Sequence, residues 1–246
     1  MDRMIYIGMS AAKEVMISQS LNNNNLANVS TTGFREDLAQ QRSMSVFGPG
    51  LPTRAFAMSE KAGTNFIPGP IENTGRPLDM AINQNGWFAV QAKDGNEAYS
   101  RAGDFRTTPE GFLVTGSGLP VMGESGPISI PPFETLSIGV DGIITIRPVG
   151  QTASQLAQVD QIKMVNPPLS EMEKGRDGLF RLKNNEPADT DVNVRLMPGM
   201  LERSNVSVVE AMVKMIALTR SFDMQVKVMS TAEEVDRSSD ALLRMS

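Results

Sequence analysis

The chain of 246 residues contains no cysteine and no histidine. These absences exclude disulfides, thiol nucleophiles, Cys/His metal centres and an imidazole general base. Aromatic residues are scarce at 5%, with one tryptophan and two tyrosines. No stretch approaches the ~18 consecutive apolar residues of a membrane-spanning helix. A net charge of −5 leaves no basic footprint, so neither nucleic acid nor direct membrane insertion is expected. Met4–Ala12 follows Arg3 and imitates the apolar core of a signal peptide. Gly8 and Ser10 dilute it and Lys13-Glu14 follows at once, so a cleaved signal is not expected.

Helix breakers are missing from both ends. All fifteen prolines lie between Pro49 and Pro198, and nineteen of the 21 glycines between Gly48 and Gly199. Two breaker-poor ends therefore flank a turn-rich middle.

What is present at the N-terminus is a heptad-like spacing: Met1, Ile5, Gly8, Ala12, Val15, Gln19, Asn22, Leu26 and Val29, at alternating intervals of 4 and 3. Its seam is small and partly polar, and the Asn22–Asn25 run disfavours an isolated helix, so packing partners must hold it. Thr31-Thr32-Gly33 ends the pattern. At the C-terminus, Ser207 and Glu210 are spaced as a capping box and predict a helix start at Ser207. Behind it a second seam runs Val208, Met212, Met215, Thr219, Phe222, Val226 and Met229. Four acid-to-base i,i+4 pairs decorate this helix: Glu210–Lys214, Asp223–Lys227, Glu233–Arg237 and Asp240–Arg244. Two such helices at opposite ends predict that their seams pair.

From Phe47 to about Asn73 the chain reads as an extended, irregular connector with room for a short strand or two. Short strands then recur at about 8–12-residue spacing, the pattern of an antiparallel β domain. They are Leu78–Ile82, Trp87–Val90, Ala98–Arg101, Phe112–Thr115, Ile128–Ile130, Thr135–Ile138, Ile143–Ile146, Gln161–Val165 and Leu179–Leu182. Asn85-Gly86 reads as a hairpin turn, and Asp94-Gly95, Asp141-Gly142 and Asp177-Gly178 as further turns.

No catalytic constellation emerges. Gly116-Ser117-Gly118 lacks the rest of a phosphate loop and reads as a glycine turn. Asp104, Glu110, Glu124 and Asp141 lie near turns, where acidic residues serve the backbone; a hydrolytic carboxylate pair is the competing reading. Trp87 could form a sugar platform, but it sits in an alternating strand and reads as core. No catalytic, metal-ligating or cofactor-binding residue is predicted, and the chain is expected not to be an enzyme.

Three motifs carry a resemblance. The segment Asn24-Asn25-Leu26-Ala27-Asn28-Val29-Ser30-Thr31-Thr32-Gly33-Phe34-Arg35 closely resembles the N-terminal signature of the bacterial flagellar rod and hook proteins. Leu201-Glu202-Arg203-Ser204-Asn205-Val206, continued by Val209–Ile216, resembles their C-terminal signature. Thr74–Ile82, Gly86–Val90 and Tyr99–Phe105 are similar to the central region. The chain departs from the family at Ser207-Val208, where a proline often precedes the valine; here the capping box must start the helix.

The resemblance implies a structural subunit of the flagellar basal-body rod, most similar to proximal-rod members, with the distal-rod protein as the near alternative. It implies export through the flagellar type III apparatus, a periplasmic site, and partnership with itself and with other proximal and distal rod proteins. The expected fold class is α+β: paired long terminal helices, coiled-coil-like, with a central antiparallel β-rich domain and an extended connector. The expected boundaries are 1–36 with 201–246 for the inner helical domain, 37–74 for the connector and 75–200 for the outer β domain. The expected assembly interface comprises Ile5, Ala12, Val15, Asn25, Leu26, Ala27, Asn28, Val29, Gly33 and Phe34 at one end. At the other it comprises Val206, Val208, Met212, Met215, Ile216, Phe222, Val226 and Met229.

Overall fold

A computed structural model of the chain describes residues 4–45, 55–150 and 156–244. The chain divides into two units. The terminal unit comprises residues 1–29, 36–65 and 206–246, and the β unit residues 30–35 and 66–205.

The terminal unit contains helix α1 (Met4–Ala27), strands β1 (Asp37–Ser45) and β2 (Ala55–Thr64), and helix α2 (Val208–Arg244). Helix α2 starts where the capping box places it: the Glu210 amide donates to Ser207 Oγ at 3.4 Å. At 1.5 Å per residue, the 24 residues of α1 and 37 of α2 span about 36 and 55 Å.

The expected coiled-coil-like pairing is corrected. The helices touch through small and polar groups: Asn22 Nδ2 donates to the Ala211 carbonyl at 2.8 Å, and a Cβ on Gly8 would come within 2.8 Å of Met229 Cγ. On α1 the buried positions are Gly8, Ala12, Glu14, Ser18, Asn22 and Asn25. On α2 the inward face follows Ala211, Met215, Leu218, Phe222, Gln225, Met229 and Ala232, and only Ala211 is fully buried among the described residues. From the expected α2 seam, Val208, Met212, Thr219 and Val226 are exposed instead. Met215, Phe222 and Met229 belong to both the expected seam and the inward face. The face turns from the remaining seam positions toward Ala211, Leu218, Gln225 and Ala232, where the small and polar α1 surface meets it. Among the described residues an apolar heptad seam with knobs in holes is therefore not present. Met1 and the Asp240–Arg244 side-chain pair lie outside the described residues.

The expected connector is corrected as well. Much of it is a long antiparallel hairpin, with Asp37 opposite Thr64, Arg42 opposite Met58 and Ser45 opposite Ala55. Residues 46–54, where that reading also fell, lie outside the described residues.

The β unit holds β3 (Ile71–Asn73), β4 (Met80–Asn83), β5 (Trp87–Gln91), β6 (Glu97–Ser100), β7 (Arg106–Thr107), β8 (Leu113–Val114) and β9 (Phe133–Ile138). It continues with β10 (Ile143–Pro148), β11 (Ala157–Gln161), β12 (Met164–Val165), β13 (Met172–Lys174), β14 (Phe180–Leu182), β15 (Arg195–Pro198) and β16 (Met200–Glu202). A five-stranded sheet in the order β12-β5-β6-β14-β13 accompanies a three-stranded one, β11-β10-β9. Strands β15 and β4, β16 and β3, and β7 and β8 form separate antiparallel pairs.

Strand β5 is buried on both faces, which explains its unbroken Trp-Phe-Ala-Val run. Successive side chains point to opposite sides. Phe88 joins Met80, Phe105, Leu113, Ile144 and Ile146 in one cluster, and Trp87 joins Tyr99, Val165, Met172 and Phe180 in another. Phe88 meets Phe105 edge to face at 5.1 Å, and Trp87 lies 4.5 Å from Phe180. Asp94-Gly95 joins β5 to β6, Asp141-Gly142 joins β9 to β10, and Asp177-Gly178 joins β13 to β14, as expected. Asn85-Gly86 does not close a hairpin. It links β4 to β5, whose partners lie in different sheets.

Candidate assembly surface and the buried motif cluster

The terminal unit leaves large apolar side chains in solvent. On α2 the expected Val208, Met212, Ile216 and Val226 are exposed, together with Val209, Val213 and Met224. On α1 the exposed group is Tyr6, Met9, Met16 and Ile17. Residues at i, i+3, i+4 and i+7 share one helix face, so Val209, Met212, Val213 and Ile216 make one continuous patch. An exposed apolar patch on a charged, polar helix marks a site of association, and methionine suits surfaces that meet several neighbours.

The remaining expected residues sort differently. Ile5, Val15, Leu26, Asn28, Val29, Phe34, Val206, Met215, Phe222 and Met229 are half-buried, and Ala27 is exposed. Ala12, Asn25 and Gly33 are buried, so they shape the subunit and do not face a neighbour directly. Asn25 acts as a surrogate strand: its Nδ2 donates to the Asp37 carbonyl at 2.8 Å and its Oδ1 accepts the Asp37 amide at 2.9 Å. Tyr6, Met9, Met16, Val209, Val213 and Met224 were missed, because the heptad reading followed only one stripe on each helix.

The two terminal signatures also meet inside the β unit. Glu202 is almost fully buried and takes two arginines: Arg35 Nη1 lies 2.5 Å from Oε1 and Arg101 Nη1 3.1 Å from Oε2. The Gly69 amide donates to Oε1 at 3.1 Å. Arg35 Nη1 also donates to the Ile67 carbonyl, and Arg101 Nη2 to the Gln84 carbonyl at 2.7 Å. Both guanidinium carbons lie over the Trp87 ring, at 5.9 Å for Arg35 and 5.3 Å for Arg101. Burial pushes the Arg101 guanidinium down to about 10, against the opposing pull of Glu202. Gly33, at φ +67°, presses on the Arg101–Ala102 backbone; a Cβ there would sit 2.3 Å from the Arg101 carbonyl carbon. Only glycine fits both that conformation and that space. Sequence reading placed Gly33 at a helix end and missed the ion cluster, whose member nearest to Glu202 in sequence, Arg101, is 101 residues away.

The residues weighed for chemistry are placed otherwise. Trp87 is 2% exposed, so its ring offers no sugar platform. Glu110 and Glu124 are exposed, and Asp141 Oδ1 accepts the Ile143 amide in its turn. Half-buried Asp104 accepts the Gly116 backbone amide, and burial, more than any other cause, raises its pKa. Among the described residues, no group of three or more acidic side chains is placed to hold a metal ion.

Two family models match the chain. The C-terminal region of the flagellar basal body rod FlgEFG proteins matches residues 197–242, and the D1 domain of the flagellar hook protein FlgE/F/G matches residues 81–146. The flagellar basal-body rod protein FlgF of Escherichia coli K12 is 41% identical over 252 aligned residues, covering 100% of both chains. The chain belongs to the flagellar basal-body rod protein family.

Other members bear this out. FlgF of Caulobacter vibrioides is 35% identical, covering 97% of this chain and 96% of that one. The rod protein FlgG of Buchnera aphidicola subsp. Schizaphis graminum is 32% identical, covering 94% and 96%. The matched C-terminal region begins in β15, contains Glu202 and takes in most of α2. One family module thus carries both the buried ion cluster's carboxylate and the exposed apolar patch.

Proposed function

We propose that the chain is a structural subunit of the flagellar basal-body rod, of the proximal FlgF type, that stacks helically through the exposed apolar faces of its terminal helices. Full-length identity to FlgF supports the type. The carrying observation is the patch Val209, Met212, Val213 and Ile216, left in solvent on a helix otherwise rich in charge. Contacts between unlike faces that do not close into a ring propagate along an axis.

In this reading the terminal unit, with residues 1–29 and 206–246, carries the polymerising surface, and the β unit adds lateral contacts. The expected interface residues that are exposed make intersubunit contacts, and the buried ones fix the shape of the surface that carries them. Torque is then borne by many modest interfaces, with no catalytic step. The partners are further copies of the chain and other rod proteins, FlgG among them. The route is the flagellar type III export apparatus, without a cleaved signal, to the periplasm.

The test is a chain carrying Met212→Asp and Ile216→Asp. It should keep its native circular dichroism, enter no basal bodies and fail to restore swimming to cells lacking the gene. Wild-type motility from that variant would overturn the assignment of this face.

A further inference from the structure

The segments 33–35 and 202–205 lie in the β unit and close on each other, meeting its apolar clusters at the Trp87 ring, over which the Arg35 and Arg101 guanidiniums lie. The Gly33 amide donates to the Glu202 carbonyl at 2.8 Å, and the Asn205 amide to the Phe34 carbonyl at 3.3 Å. The Arg203 amide donates to the Pro70 carbonyl at 2.9 Å, and Lys174 Nζ to the Arg35 carbonyl at 2.7 Å. The cluster around Phe88 and the one around Val90 are built from residues 78–196 and include none of these.

Two physical features set the closure apart from that core. Its contacts join chain segments further apart than the core's do: Arg35 pairs with Glu202 and Phe34 with Asn205, whereas the core's far strand brings Leu196 opposite Ile82. The clasp therefore carries the higher loop-closure entropy and forms late. Its centre is also charged. Two guanidiniums share one carboxylate out of water, and buried pairs of this kind recover little more than their desolvation. Arg35 Nε and Nη2 and Arg101 Nε have no hydrogen-bond acceptor, so the cluster is incompletely compensated.

We propose that 33–35 and 202–205 form a clasp that opens and closes while the β core stays folded, with the Glu202 carboxylate as its latch. In chain order, residues 33–35 follow α1 and residues 202–205 precede the Ser207 cap of α2. Opening therefore releases from the β core both stretches of chain that lead to the terminal helices, and closing fixes them.

Native-state hydrogen exchange on the full chain tests this. The Gly33, Gly69, Arg203 and Asn205 amides report the clasp. The Ala89, Leu113, Val121 and Met122 amides, bonded to Lys163, Ile128, Leu113 and Ala89 carbonyls, report the core. Clasp amides should exchange at least roughly tenfold faster than core amides, through a sub-global opening. In Glu202→Gln the clasp amides should gain a further tenfold or so, with the core amides unchanged. Equal rates in the wild type would overturn the proposal, because clasp and core would then open only together. Loss of core protection in Glu202→Gln, or no change at the clasp, would overturn it equally.

Discussion

The β unit hides its large apolar side chains and the terminal unit displays them. In the β unit Phe88, Phe105, Leu113, Ile144 and Ile162 are wholly inaccessible. In the terminal unit Ala12 and Ala211 are the only fully buried hydrophobic residues among those described, while Met9, Met16, Met212 and Ile216 stand more than half exposed. One unit satisfies its hydrophobic surface internally and the other leaves it in solvent. With the exposed face as the proposed assembly surface, stability and assembly are carried by different residues, and substitutions should separate them.

The largest effect is expected from Phe88→Ala. It removes a ring that packs edge to face on Phe105 at the centre of the main cluster. Cavity formation there should cost about 3–5 kcal/mol, seen as an earlier thermal transition followed through Trp87 fluorescence. A loss below about 1 kcal/mol would break the contrast, because the β unit would then not depend on its core.

A middle-sized effect tests what holds the terminal unit in the absence of such a core. Asn25→Ala leaves the Asp37 amide and carbonyl without their side-chain partners. The cost should be about 2 kcal/mol, from two lost hydrogen bonds and the poorly solvated groups they leave. Faster hydrogen exchange at Asp37 and along β1, with β-unit amides unaffected, would confirm that polar clamps substitute for apolar packing.

These two residues also show what was legible. Phe88 could be placed from sequence because β5 combines an apolar run with turn dipeptides beyond it, and local pattern decides such a strand. Strands β6, β9 and β10 and the Ser207 cap were readable for the same reason. The β1–β2 hairpin was not: Gln40, Gln41, Arg42 and Ser43 show no alternation, and Arg42–Ser45, Ala55 and Met58 are exposed. Its pairing rests on backbone hydrogen bonds that composition does not reveal. Asn85-Gly86 signalled a bend correctly but could not say which sheet the next strand joins. The phase of α2 was misread because the partner surface, rather than helix hydrophobicity, chose the buried stripe. For the site, the motif residues were recognisable, but Glu202 between Arg35 and Arg101 is a long-range pairing with no local signal.

A smaller change in stability should accompany a large change in assembly when Met212 and Ile216 are both replaced by alanine. Both side chains are more than half exposed, so the unfolding midpoint should move by no more than about 0.5 kcal/mol in equivalent stability. Incorporation into rods should nevertheless fall sharply. A large stability loss would show that this face is packed against its own chain.

The smallest expected effect concerns a charge held partly inside the β unit. Burial raises the Asp104 pKa above its ordinary value, and the nearby Asp79 charge adds to that rise. A carboxyl raised in the folded state favours folding while it is protonated, and that contribution is lost as pH rises through the folded value. Asp104→Asn keeps an oxygen to accept the Gly116 amide and removes the ionisation. Wild type and variant should therefore have matching transitions at pH near 3, below the ordinary aspartate value. As pH rises to 7 the variant should become the more stable by a few degrees at most. Thermal melts across that range measure the difference directly. A wild type that gains on the variant with rising pH would mean that the Gly116 hydrogen bond outweighs burial at this carboxylate, and that the β unit accommodates this charge more easily than its dry core suggests.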